Sequence, residues 1–97
     1  MVLLIAYDLK ELDKDYSRLY ETIQHAGTTW WHYIESIWII DTNLTIDECS
    51  NLLRSCMGIN DFLLVIDITN RDYQGWLPSK AWSVLNRLKV KDKMQNN

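Results

Sequence analysis

The strongest constraint on the fold is the near-continuous apolar run Val2-Leu3-Leu4-Ile5-Ala6-Tyr7, which stops at Asp8. Its length suits a strand covered on both faces, the signature of a central strand. A second run of the same kind, Phe62 to Ile68, reads as a second central strand. Both runs are too short for a membrane span, and the first does not have the form of a signal peptide.

Between them the hydrophobic period changes. From Asp13 a helix is predicted, with Tyr16, Leu19, Tyr20 and Ile23 on one face and Gly27 as a left-handed stop. In that helix Asp13 and Asp15 fall in the first turn, where the dipole favours acids, and His25 falls near the end, where it favours bases. Thr28 to Thr42 is rich in Trp, Tyr, Ile and Thr, which favour strands. It is too long for one strand. Two are predicted, 29–34 and 37–41, joined tightly at Glu35-Ser36; a single bent strand is the alternative. Thr45-Ile46-Asp47-Glu48 has the form of a capping box. It opens a second helix with Cys49, Leu52, Leu53 and Cys56 on one face and Gly58 at its end. Arg71 to Gly75 reads as a loop. Pro78-Ser79 opens a third helix with Ala81, Trp82, Leu85 and Leu88 on one face.

The predicted order is β-α-β-β-α-β plus a C-terminal helix, an α+β ferredoxin-like sandwich of one domain over residues 1–88. Residues 89–97 read as a polar, disordered tail. Two helices on one sheet face leave the other face in need of cover. The third helix or a partner subunit would supply it, and a homodimer is expected.

The chain has 97 residues and a net charge of -3. Lys89, Lys91 and Lys93 against Asp92 give the tail +2, so residues 1–88 carry -5. That argues against long nucleic acid as a partner, since such affinity comes mainly from neutralised phosphates. A small anionic ligand needs few phosphate contacts. Cys49 and Cys56 are seven apart, roughly 10 Å along a helix, and read as free buried thiols of a reducing, cytoplasmic compartment. Three glycines leave no phosphate loop or dinucleotide fingerprint.

Two features point to function. Asp8 places a carboxylate where the first strand ends. In a two-fold dimer a pair of them would share a divalent cation such as Mg²⁺ and activate water for phosphodiester hydrolysis; alone, Asp8 solvates a strand end. The second feature is five tryptophans. Trp30 and Trp31 must point to opposite sheet faces. With Tyr7 and Trp76, which follows Gly75, they are candidate ligand-binding residues forming an aromatic platform for a nucleotide base. The competing reading is a packed mini-core, favoured for Trp38 and Trp82. His25 and His32 lack metal-ligand spacing and read as structural.

The stretch Met-Val-Leu-Leu-Ile-Ala-Tyr-Asp-Leu, with the helix, the aromatic strand ending near Ser36 and the helix from Thr45, resembles the Cas2-like proteins, small CRISPR-associated subunits. The resemblance covers about residues 1–68. Trp31-His32-Tyr33 and Gly75-Trp76-Leu77 look closer still to the SinR-like branch. It implies a ferredoxin-like fold, a homodimer and Asp8 as the metal-coordinating position. The acidic body and the helix from Pro78, where such chains often end in a strand crossing to the partner sheet, depart from that pattern.

Three functions follow as expectations. The first is a non-catalytic, oligomeric binding protein for a nucleotide-like ligand or a protein partner, needing no certain cofactor. The second is a Mg²⁺-dependent endonuclease acting on RNA or DNA through paired Asp8. The third is an assembly subunit that bridges larger proteins through the edge of a short last strand.

Overall fold

The computed structural model describes residues 1–95, with side chains described through residue 90. The elements are β1 (Val2–Asp8), α1 (Ser17–Ala26), β2 (Thr29–Ile34), β3 (Ile37–Asp41), α2 (Ile46–Arg54), β4 (Phe62–Asp67) and α3 (Ser79–Gln95). The four strands form one antiparallel sheet in the order β2-β3-β1-β4. The 29–41 segment is the expected pair of strands, turning at Glu35-Ser36.

Each sheet face has its own core. On one face α1 and α2 bury Leu19, Ile23, Cys49 and Leu53 against Leu3, Ile5, Trp38 and Ile40. On the other, α3 lays Ala81, Leu85 and Leu88 over Val2, Trp31 and Ile39. The third helix therefore supplies cover, but only over part of the face. Ile34, Ile37, Ala6 and Leu64 form one cross-strand row there, and Ile34 and Leu64 remain exposed.

β1 is central, as its apolar run implies. β4 is not: it is an edge strand paired only with β1. Its apolar residues divide accordingly. Leu63 and Val65 pack on the α1/α2 core, while Phe62, Leu64 and Ile66 face the other way and stay exposed. A continuous apolar run marks a strand that needs cover on both faces; strand order decides whether the chain itself provides it.

The helix ends also differ from expectation. α1 starts at Ser17 rather than Asp13. Asp15 instead accepts hydrogen bonds from the Ser17 amide (2.9 Å) and hydroxyl (2.5 Å), closing a turn before the helix. Gly27 is extended, at φ -101° and ψ 151°, not left-handed. Its requirement is space: a Cβ would lie 2.8 Å from the Thr29 carbonyl oxygen and 2.9 Å from Ile40 Cβ. α2 ends at Arg54, before Gly58, and turns carry the chain on. Its start is the predicted capping box: the Glu48 amide donates to Thr45 Oγ1 at 3.1 Å and the Thr45 amide to Glu48 Oε1 at 2.9 Å. Leu52 is exposed beside α1 rather than buried. α3 extends through Gln95 into the segment read as a tail; Asn96 and Asn97 lie outside the described residues.

Cys49 and Cys56 are free and buried. Burial raises the Cys49 thiol above its ordinary pKa and keeps it protonated. Among the described residues no helix is long and apolar enough to cross a membrane.

Candidate functional site

The sheet distributes the sequence candidates over several places. Tyr7 turns toward α1 and α2. Its hydroxyl donates to the Glu35 carbonyl at 3.1 Å and accepts from Trp38 Nε1 at 3.1 Å. Burial pushes its pKa up, against the lowering effect of the Trp38 donor. Both hydrogen-bonding roles of the hydroxyl are used inside the protein. Around it His32 stacks on Trp38 at 3.7 Å, with Nε2–H donating to the Glu35 carbonyl at 2.9 Å. This aromatic group locks the β2–β3 turn.

Trp30 and Trp31 take opposite faces. Trp31 is buried under α3, its Nε1–H donating to the Ala81 carbonyl at 2.9 Å. Trp30 leans on Trp38 at 5.5 Å and stays half-exposed at the outer edge of the sheet. Trp76 is fully exposed in the loop before α3, and Gly75 beside it has open space around it. The four proposed ligand-binding residues thus form no common platform. Trp38 is core, and Trp82 stacks with Tyr73 at 6.2 Å on α3.

Asp8 stands at the end of β1, opposite Phe62 in register. Its Oδ2 lies 2.6 Å from Lys10 Nζ, an ion pair open to solvent. The adjoining hollow of about 270 Å³ is floored by Ala6, Phe62 and Leu64. Among the described residues no three His, Cys, Asp or Glu side chains gather to hold a metal ion. Asp8 alone supplies one carboxylate, already neutralised by Lys10.

A different cleft is more complete. Where α3 passes the outer edge of β2, a space of about 410 Å³ is lined by Thr28, Thr29, Trp30, Val84, Arg87 and Leu88. That volume lies within the range of small-molecule sites. Trp30 borders it at the strand edge, its indole leaning on Trp38 on the α1/α2 side of the sheet; Val84 and Leu88 give an apolar wall and Arg87 a guanidinium. Thr28 Oγ1 donates to the Asp41 carbonyl at 3.2 Å. Thr29 Oγ1 is buried with no hydrogen-bond partner among the described residues, whereas most buried polar groups are paired. Sequence reasoning found Trp30 but missed Arg87, Thr28 and Thr29. Arg87 falls on the exposed flank of a helix predicted only from its apolar face.

One buried carboxylate was also missed. Asp61, 6% exposed, accepts from the Lys10 amide (2.8 Å), the Gly58 amide (2.7 Å) and the Tyr16 hydroxyl (2.8 Å). Burial alone would raise its pKa, but these donors together hold it below the ordinary carboxylate value. All of its donors come from the protein itself, so Asp61 is structural.

Fold and cleft define a small α+β domain with a four-stranded antiparallel sheet, three helices and an aromatic–cationic cleft at one sheet edge. Comparison with protein-family profiles, with curated proteins and with solved structures returns no match.

Proposed function

We propose that this chain is a non-catalytic, dimeric binding protein that takes a nucleotide-like ligand in the Trp30–Arg87 cleft, on a ferredoxin-like scaffold resembling the Cas2-like proteins. The observation that carries the reading is that Trp30 and Arg87 line one cleft with a buried, unpartnered Thr29 hydroxyl. A base stacked on an indole gains about 1–3 kcal/mol. A guanidinium engages a phosphate through two parallel N–H donors. A body charge of -5 is compatible with one small anion held by one arginine, where it opposes a long polyanion. The buried thiols Cys49 and Cys56 are consistent with a reducing, cytoplasmic setting.

The element order and the all-antiparallel 2-3-1-4 sheet support the ferredoxin-like assignment. The exposed apolar row beside β4 supports oligomerisation. The nuclease alternative requires a second Asp8 from a partner and release of Lys10 from the first. No observation favours it over binding.

The test is a melting-temperature screen against nucleoside mono-, di- and triphosphates and cyclic nucleotides. A ligand present at ten times its Kd adds roughly 1.4 kcal/mol, which raises the Tm of a domain this size by several degrees. Silence across the panel at millimolar ligand overturns the nucleotide reading.

A further inference from the structure

Among the described residues no strand pairs with the outer edge of β4, at the side of the sheet opposite the cleft. β4 is bordered by β1 alone. Its Phe62, Leu64 and Ile66 are 64%, 58% and 42% exposed. These three leave on the order of 300 Å² of apolar surface open, comparable to the largest apolar patch of a typical monomer, which is often a functional surface. The usual guards of a strand edge, an edge lysine, a proline or a bulge, are absent from Phe62–Ile66. Lys10 lies 5.3 Å over the Phe62 ring, but its charge is answered by Asp8.

We propose that this edge pairs with the same strand of a second copy of the chain, antiparallel, about a two-fold axis at Leu64. The inference rests on the oligomeric part of the reading above and names its interface; it is independent of the ligand.

The hydrogen-bond phase of the strand sets the register. The Ile68 amide donates to the Val2 carbonyl at 2.9 Å. Even-numbered residues of β4 therefore turn their main-chain groups toward β1, and Leu63 and Val65 turn theirs outward. With the axis at Leu64, Leu63 meets Val65 of the second copy and exchanges both main-chain bonds with it. On the open face Leu64 meets its own copy and Phe62 meets Ile66. All three exposed side chains then contact apolar partners, and no charged residue between 62 and 66 opposes its own copy. At its ends this register sets Asp67 opposite Asp61 of the second copy, whose carboxylate is turned inward onto the Tyr16 hydroxyl and the Lys10 and Gly58 amides. Moving the register two residues so that Val65 sits on the axis would instead set the Asp67 side chain against the apolar Leu63. Self-complementarity of this kind selects a second copy over an unrelated chain.

The geometry has a consequence at Asp8. The two Asp8 carboxylates would lie about 20 Å apart, three strand spacings of ~4.8 Å and four residues of ~3.4 Å. This dimer therefore cannot place one cation between them. It leaves both Trp30–Arg87 clefts free at the outer edges of an eight-stranded sheet.

A ladder of this length with a small apolar patch belongs at the low end of specific interfaces, below about 1,200 Å² in total, so association should depend on concentration. Sedimentation over a dilution series should show a monomer–dimer equilibrium, weakened about tenfold or more by Leu64→Lys. Oxidised Leu64→Cys should give a covalent dimer, because residues facing each other in a non-hydrogen-bonded pair have Cα atoms about 4.5 Å apart. Ile59→Cys, exposed and five residues from the axis, should not. A wild-type monomer at every concentration overturns both the interface and the oligomeric reading. A dimer that survives Leu64→Lys, with no Leu64→Cys crosslink, overturns the interface alone. If Leu64→Lys fails to fold by circular dichroism, the cysteine pair decides.

Discussion

The Tyr16 hydroxyl lies 2.8 Å from Asp61 Oδ1, joining the entrance of α1 to the entrance of β4 across 45 residues of chain. The same carboxylate accepts the Lys10 and Gly58 amides, so one buried group closes two loops. Asp61→Asn keeps the shape but turns an acceptor-only group into one that must donate where donors already converge. A fall in Tm of roughly 5 °C or more is expected by calorimetry, with Tyr16→Phe intermediate. An Asp61→Asn protein as stable as wild type would show that the network is dispensable.

The pH dependence follows from the same bond set. Asp61, Asp15, Asp67 and Glu48 all have carboxyl pKa values lowered in the folded chain. A depressed folded-state pKa contributes stability that is complete above the unfolded pKa, near 4, and is lost as pH falls through the folded value. Stability should therefore be flat in this contribution above about pH 5 and fall below about pH 4. In Asp61→Asn the acid slope of Tm against pH should be shallower. An unchanged slope would remove Asp61 from the acid response.

Two glycines separate close approach from free loop. At Gly27 a Cβ would stand 2.8 Å from the Thr29 carbonyl oxygen and 2.9 Å from Ile40 Cβ, both in the body of the sheet. Gly27→Ala should cost about 1–3 kcal/mol by denaturant unfolding. Gly75 has nothing within 4 Å of such a Cβ and no positive φ. Gly75→Ala should be neutral or stabilising by up to about 1 kcal/mol, through a less flexible unfolded chain. Equal effects at the two sites would refute the distinction.

The α2 start is a local matter that sequence and structure describe identically. Thr45→Ala removes one half of the reciprocal cap with Glu48 and should cost about 1 kcal/mol. Thr45→Ser should retain most of it.

These contrasts show what was legible. The capping box and the β2–β3 turn at Glu35-Ser36 depend on residues within a few positions of one another, so the pattern carried them. The alternation of Trp30 and Trp31 was legible too, since strand geometry compels it. Which face each entered was not, because that depends on where α3 docks, 50 residues on from Trp31. The β4 run was misread as central for a related reason: its composition matches that of β1, and only strand order leaves its Phe62 face open. Asp61 gave no signal, because its importance comes from donors at positions 10, 16 and 58 that converge only after folding.

The cleft itself is tested by variants that separate ligand contact from packing. Trp30 is half-exposed and Arg87 exposed, so Trp30→Ala and Arg87→Ala should leave the unliganded Tm within a few degrees of wild type. Each should weaken the affinity of the nucleotide found in the melting screen by about tenfold or more, given about 1–3 kcal/mol for a stacked base and 1.5–3 for a charged hydrogen bond. Trp31→Phe is the counter-case. It deletes the bond to the Ala81 carbonyl beneath α3, should cost about 1 kcal/mol of stability, and should leave affinity unchanged. Isothermal titration on the three variants reads both quantities side by side. Loss of affinity in Trp31→Phe but not in Trp30→Ala would move the ligand from the outer edge of β2 to the α3 face of the sheet, and the Trp30–Arg87 assignment would fail.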